Sequence, residues 1–221
     1  FSFFFKNYKK FGSKNNLKKK IFITVAIDSE ASAGGGTVAK KISKHYNLCY
    51  LDTGKIYRYI AYLKKKNPKK FSYNFLKKKI KNLKVSNLNN KNLLSEEIGF
   101  IASKISKRLL IRKLVAKFQN KFAYSPPKKF NGSCLDGRDI TTVILPDAMF
   151  KFFIYADLNT RARRRYIELR KYGNKISMED VRKSIEFRDK SDYERKHSPL
   201  KLTKDQVLIN SSNLSKRSCF L

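Results

Sequence analysis

The apolar positions of this chain fall into short runs set among long basic stretches. Residues 21–27, Ile-Phe-Ile-Thr-Val-Ala-Ile, form a continuous β-branched run, the pattern of a strand buried on both faces. A turn of small residues follows at 29–36, after which Val38, Ala39, Ile42 and Ser43 take helical spacing. Strand, glycine-rich turn and helix open a βαβ unit. A second strand is predicted at 48–51, where Cys49 reads as a small buried hydrophobe. From 55 to 130 the pattern is mainly helical, interrupted by Pro68 and an Asn-rich stretch at 87–92. Within it, Ile98, Ile101, Ile105, Leu109, Val115 and Phe118 predict one amphipathic helix over 98–118, and Pro126-Pro127 closes the region. Further strands are predicted at 133–136, 151–156 and 206–210, with helices at about 158–172 and 178–196. Short strands alternating with helices give an α/β fold with a mainly parallel sheet.

Length changes this picture little: 221 residues bury one substantial core in one or two domains. Residues 1–20 are aromatic, then basic, without periodicity, and are expected to be a disordered extension ahead of a domain spanning 21–221. The missing initiator Met and the stop at 219–221, just after a helix-like start, lead us to expect a fragment. No apolar run reaches the length of a membrane span, and the opening aromatics make no signal-peptide core, so no membrane partner is expected. Cys49, Cys134 and Cys219 are odd in number and widely spaced, the pattern of reduced thiols in a cytoplasmic protein.

The net charge of +34 admits two readings. It could mark a nucleic-acid-binding protein. It could equally be compositional, because the excess is lysine, spread diffusely, in a chain rich in Asn, Phe, Ile and Tyr. On the second reading the 13 arginines become informative, since a planar bidentate fork is kept where carboxylates or phosphates are gripped. Nine of them lie between Arg138 and Arg195, which marks the second half as a phosphate-handling region.

The chemistry-bearing segments are consistent with that. Asp28-Ser29-Glu30-Ala31-Ser32-Ala33-Gly34-Gly35-Gly36-Thr37 sits between strand and helix, where backbone N–H groups and a helix N-terminus bind anions. Against the phosphate-loop pattern G-x-x-x-x-G-K-[ST], Ser29 replaces the first glycine, Gly34 fits, Gly35 replaces the lysine, and the hydroxyl comes one place late at Thr37. Alone, the segment is as well explained by a ligand-free turn. It is followed by Leu51-Asp52-Thr53-Gly54-Lys55-Ile56-Tyr57-Arg58, then Asp136-Gly137-Arg138-Asp139-Ile140 with Pro146-Asp147-Ala148. After these come Arg161-Ala162-Arg163-Arg164-Arg165-Tyr166, Arg188-Asp189-Lys190-Ser191-Asp192-Tyr193-Glu194-Arg195 and Ser198-Pro199-Leu200. Taken singly, Asp139 could be a helix cap, Arg188 and Asp192 a plain i,i+4 salt bridge, and the 161–165 arginines a solvated face.

Taken in this order, from about 21 to 214, these motifs resemble the bacterial cytidylate kinases. The resemblance implies a P-loop nucleoside monophosphate kinase fold, with a mainly parallel sheet flanked by helices. It also implies a CMP-binding insert at about 60–120 and a mobile lid at about 158–172. The implied activity is transfer of the γ-phosphoryl group of ATP to CMP or dCMP, with Mg²⁺ as cofactor, by a monomer that needs neither membrane nor nucleic acid. Ser29, Glu30, Ala31, Ser32, Ala33, Gly34, Gly35, Gly36 and Thr37 would cradle the ATP phosphates, and Thr37 would help hold the metal. Thr53, Arg58, Arg138 and Arg195 match positions that hold the acceptor phosphate, with Tyr57 beside the nucleotide. Ser103, Arg112 and Asp139 match positions that read cytosine, and Arg188 and Asp192 contacts to the sugar. Arg138, Arg195 and the lid residues Arg163 and Arg165 would neutralise the transferring phosphoryl group.

The loop departs from the pattern where charge is needed. Gly35 supplies no cation and Glu30 adds an anion. Lid arginines or Lys55 could supply the missing charge, or the domain could bind nucleotides without turnover. Gly35→Lys is then expected to speed transfer, provided that Gly35 does not require positive φ.

Overall fold

A computed structural model describes residues 22–215, 218 and 219; the N-terminal extension expected at 1–20 lies outside them. Five strands form one parallel sheet in the order β2-β3-β1-β4-β5. They are β1 (Ile23–Ser29), β2 (Cys49–Asp52), β3 (Gly132–Gly137), β4 (Phe150–Tyr155) and β5 (Val207–Asn210). Each predicted strand is present within two residues of its expected bounds. The chain also matches the expected fold class.

The period-2 geometry of β1 divides the core. Val25 and Ile27 point to one side, where they meet Val38, Ala39 and Ile42 of helix α1 (Gly35–Tyr46). Ala26 points to the other, into the larger cluster built from α2 (Gly54–Lys66), α3 (Tyr73–Lys81), α4 (Glu96–Ser106) and α5 (Leu109–Tyr124). A third cluster joins α6 (Leu158–Lys171) to α7 (Met178–Glu194) through Ala162, Leu169, Val181 and Ile185. Ala31 of the glycine-rich turn belongs to this third cluster, so that turn is packed between the sheet and the helix pair.

The helix predicted over 98–118 is two helices. Ser95 caps α4 by accepting from the Ile98 N–H at 3.3 Å, with Glu96 and Glu97 in the first turn, where the helix dipole favours acids. The chain then breaks at Lys107–Arg108, where Arg108 is extended. Arg112, in the first turn of α5, donates to the Ser106 carbonyl at 3.1 Å, an acceptor that the end of α4 leaves exposed. No glycine or proline marks this break, so the apolar spacing runs through it. The break seats Arg112 in the interior, 5 % exposed.

Asp28 shows how the C-terminal ends of the strands are tied together. Its buried carboxylate accepts from the N–H groups of Ile140 (2.8 Å) and Thr141 (3.0 Å) and from the Thr141 hydroxyl (2.5 Å). These bonds fix the wide helical turn Ile140–Ile144 that follows β3.

Candidate active site

A cleft of about 600 Å³ opens at the carboxyl ends of β1, β2 and β3, the side of a parallel sheet where α/β proteins bind ligands. One wall is the glycine-rich turn. Ser32 (φ 63°) and Gly34 (φ 98°) take left-handed conformations, and the chain then enters α1. Gly35 does not use positive φ.

Contacts behind the turn hold its shape. The Ala31 N–H donates to Asp189 Oδ1 at 3.0 Å, and the Ala31 carbonyl accepts from Arg161 at 3.2 Å. Arg161 also pairs with Asp189, and its Nε lies 3.5 Å from Glu30. Tyr193 donates to the same Glu30 carboxylate at 3.1 Å. The charge that Glu30 brings is therefore met by Arg161. On the far side, Ser211 donates to the Ala33 carbonyl at 2.7 Å, and Arg164 donates to both the hydroxyl and the carbonyl of Ser211.

The opposite wall is a ladder of alternating charges. Arg112 pairs with Asp139, whose second oxygen lies 3.9 Å from Arg195 Nη2. Arg195 donates to Asp192 Oδ1 at 3.1 Å, and Arg138 donates to Asp192 Oδ2 at 2.8 Å. Asp192 is thus spent on Arg138 and Arg195, and the i,i+4 pair with Arg188 is not formed. Asp139 makes no side-chain cap to the turn after it. Tyr57 lies beneath Arg112, 5.6 Å from its guanidinium carbon, and burial pushes its hydroxyl up to about 12. Thr53 donates to the Asp136 carbonyl at 2.8 Å, and Ser103 to Ser191 at 3.1 Å.

Positive charge is in excess at the centre. Burial, then the neighbouring Arg188 and Arg165, together lower the Arg58 guanidinium to about 9. Arg188 is lowered by burial and then by Arg138, and has no hydrogen bond or ion pair among the described residues. Arg195 is also lowered, first by burial, and its Nη2 is buried with no hydrogen-bond partner. Cations held below their ordinary pKa beside an orphaned donor make a site that an anion would relieve.

Most of the expected residues meet here: Ser29, Glu30, residues 32–37, Thr53, Tyr57, Arg58, Ser103, Arg112, Arg138, Asp139, Arg165, Arg188, Asp192 and Arg195 line the cleft. Ala31 lies behind the loop in the third core cluster. Arg163 is exposed on α6 and does not line the cleft, whereas Arg164 does. Arg165 is held by Glu96, Glu168 and the Leu94 carbonyl. Sequence reading gave no role to Asp189, Ser211 or the buried Asp136, and placed Arg164 only among the arginines of the lid. Asp189 had a signal, as the acid between Arg188 and Asp192. Ser211 had none.

A family model described as cytidylate kinase matches residues 25–219. A cytidylate kinase of Bartonella tribocorum is 42% identical over 201 residues, which cover 89% of this chain and 90% of that protein. The chain belongs to the cytidylate kinase family. A family member from Thermosipho melanesiensis is 41% identical over 86% of this chain and 90% of its own length, and one from Clostridium botulinum is 38% identical over 87% and 92%. Among solved structures, an uncharacterized protein from Eubacterium ventriosum shares the fold, with a TM-score of 0.51 at 18% identity over 90% of this chain and 93% of its own. Cys49, Cys134 and Cys219 are buried free thiols, and no described helix is long and apolar enough to cross a membrane.

Proposed function

We propose that this chain transfers the γ-phosphoryl group of ATP to CMP or dCMP, with the glycine-rich turn on the donor side and the charge ladder on the acceptor side. The observation that carries the reading is the cluster of Arg58, Arg138, Arg188 and the unpartnered Nη2 of Arg195, beside a buried Arg112–Asp139 pair. Arg58, Arg138 and Arg195 take the acceptor phosphate, and Arg188 stands toward the sugar. Asp139 accepts from the exocyclic amine of cytosine, and Arg112 orients that carboxylate and donates to the ring.

Chemically, an ionised phosphate oxygen of the monophosphate attacks the γ-phosphorus, and the bond to the β–γ bridging oxygen breaks, leaving ADP. The attacking oxygen carries no proton, so the protein's task is alignment and neutralisation of spread charge. Helix α6, at the position expected for a lid, brings Arg164 and Arg165 to the cleft, and its closure excludes water that would otherwise hydrolyse ATP.

Mg²⁺ suits the residues at the loop. Asp136 is a buried carboxyl at the cleft, raised above its ordinary pKa by burial and by Asp52, and its Oδ1 has no hydrogen-bond partner. Its Oδ2 lies 3.2 Å from where a Cβ at Gly36 would stand, next to Thr37. Among the described residues no cluster of three metal-ligating side chains exists, in keeping with a metal held largely by phosphate oxygens. Thr37 and Asp136 would hold it, and the bound ion would supply charge neutralisation at the ATP phosphates.

A coupled assay with ATP, Mg²⁺ and each monophosphate tests the reading. CMP and dCMP are expected to exceed UMP, AMP and GMP by about tenfold or more, the cost of one unmade buried hydrogen bond. Equal kcat/KM on AMP and CMP would overturn it.

A further inference from the structure

Two of the loop's departures from the phosphate-loop pattern, Ser29 and Gly35, are one structural event. Gly35 is buried, and a Cβ on it would stand 2.8 Å from the Ser29 Cβ and closer still to the Ser29 hydroxyl. Ser29 is itself 4 % exposed, and as the last residue of β1 its Cβ is fixed by the strand backbone, so no rotamer relieves that contact. A side chain at 29 therefore excludes one at 35. Gly35→Lys alone does not restore a phosphate-loop lysine; Ser29 must shrink with it. This corrects the expectation for the single substitution. The obstacle is the neighbouring side chain, and φ plays no part.

Excluding a cation at 35 leaves the donor side short of charge, so the cations that can reach it decide the chemistry. Lys55 is occupied, with its Nζ 4.0 Å from Asp52. Arg161, Arg164 and Arg165 are bound to Asp189, Ser211 and Glu96. Lys40 and Lys171 line the cleft with no hydrogen bond or ion pair among the described residues. Lys171 stands seven residues beyond Arg164 on α6, about 10 Å further along the helix from the loop. Lys40 stands on α1, one turn beyond Gly36 and Thr37 on the same face. Helical side chains lean toward the N-terminus, so its four-carbon stem points up the helix toward the phosphate loop. Gly36, one turn nearer the loop, has no side chain of its own, and the space over it is bordered by Asp136 Oδ2 and the Tyr50 hydroxyl, 3.2 and 3.4 Å from where its Cβ would stand. The Lys40 Nζ already lies on the cleft side, 5.9 Å from the centre of the Tyr50 ring.

We propose that Lys40 is the catalytic cation of the donor site, reaching over bare Gly36 to the β/γ-phosphates in place of the residue that Ser29 excludes at position 35. The proposal rests on the phosphoryl-transfer reading above and adds the group that neutralises charge there.

The test uses the full chain and two readouts, phosphoryl transfer and equilibrium binding of a non-hydrolysable ATP analogue with Mg²⁺. Lys40→Met is expected to lower kcat by about 10²–10³, as removal of one preorganised charge-stabilising group does. The CMP KM and the thermal midpoint are expected to stay unchanged, because Lys40 is exposed, while analogue affinity falls severalfold. Lys40→Arg is expected to keep most of the activity. Adding Ser29→Gly and Gly35→Lys together to the Lys40→Met protein is expected to restore kcat, whereas Gly35→Lys alone lowers the thermal midpoint and restores nothing. Unchanged kcat and analogue affinity in Lys40→Met would overturn the proposal. So would the same loss and rescue at Lys171→Met with none at Lys40, or failure of the rescue when the Ser29→Gly/Gly35→Lys pair is active with Lys40 in place. If the unaltered protein transfers phosphate to no monophosphate, the kinase reading fails instead, and the analogue affinities of Lys40→Met and Lys40→Arg alone decide the role of Lys40.

Discussion

Arg195 places three demands on one guanidinium. Its Nε donates to the Ser198 carbonyl at 2.7 Å, its Nη1 to Asp192, and its buried Nη2 reaches toward Asp139 without a hydrogen bond. A lysine can fill the volume and keep the charge, but cannot serve the two anchors and still offer a donor to a ligand. Arg195→Lys is therefore expected to preserve the fold and raise the CMP KM by about tenfold or more, with little change in the ATP KM. Initial-rate kinetics with each substrate varied in turn check this, and unchanged constants would place Arg195 outside the acceptor site. This residue was legible in the sequence because lysine is the default cation of the chain, so a retained arginine signals a need for its fork. The same logic could not separate Arg163 from Arg164: adjacent arginines on a helix differ only in which way the helix faces, and the packing of Ala162 and Leu169 against α7 sets that.

At the scale of elements, β1 follows from its β-branched run and the other strands from short apolar runs between turns, and the sequence shows α6 and α7 to within a turn. Asp28 and Thr141, which lock β1 to the turn after β3, gave no such signal, because their partnership spans 113 residues of chain. The break between α4 and α5 was equally silent, being made by Arg112 bonding back to Ser106 rather than by any residue that disfavours helix. The Asp28 lock has a measurable signature. Burial raises its pKa from 3.8 to about 6, against the lowering pull of its hydrogen bonds to Thr141 and Ile140. The unfolded chain loses this proton near 3.8 and the native one near 6, so between those values the native state binds more protons. The contribution of Asp28 to stability therefore falls as pH rises through that window, by roughly 2–3 kcal/mol. Asp28→Asn loses hydrogen-bond geometry and is less stable at low pH, but it has no proton to lose. Urea unfolding of both proteins at about pH 4 and pH 6.5 is expected to show the gap between them narrowing by that amount. A gap that stays constant would mean that Asp28 titrates normally.

At the scale of the molecule, the two signs of charge are distributed differently. The acids gather where the arginines are, with Glu30, Glu96, Asp139, Asp189 and Asp192 all paired around the cleft. A lysine-rich stretch lies outside it: Lys64, Lys65, Lys66, Lys69, Lys70, Lys77, Lys78, Lys79 and Lys81 are all exposed at the end of α2 and along α3. Lys77, Lys78 and Lys79 are consecutive on a helix, so they fan through about 200° around its axis. They form no single face that could track a duplex backbone. A net charge of +34 acts mainly as self-repulsion in the compact state, which counter-ions relieve. Raising salt from roughly 20 mM to 300 mM is therefore expected to raise the thermal midpoint. Binding to random double-stranded DNA is expected to be weak at physiological ionic strength and to fade as salt rises, as for counterion release without base contacts. The two measurements pull the same charge in opposite directions, one toward tighter folding and one toward looser association. A midpoint indifferent to salt, together with sequence-selective DNA binding that survives near 0.3 M, would show that the lysines form a binding surface rather than a solvated coat.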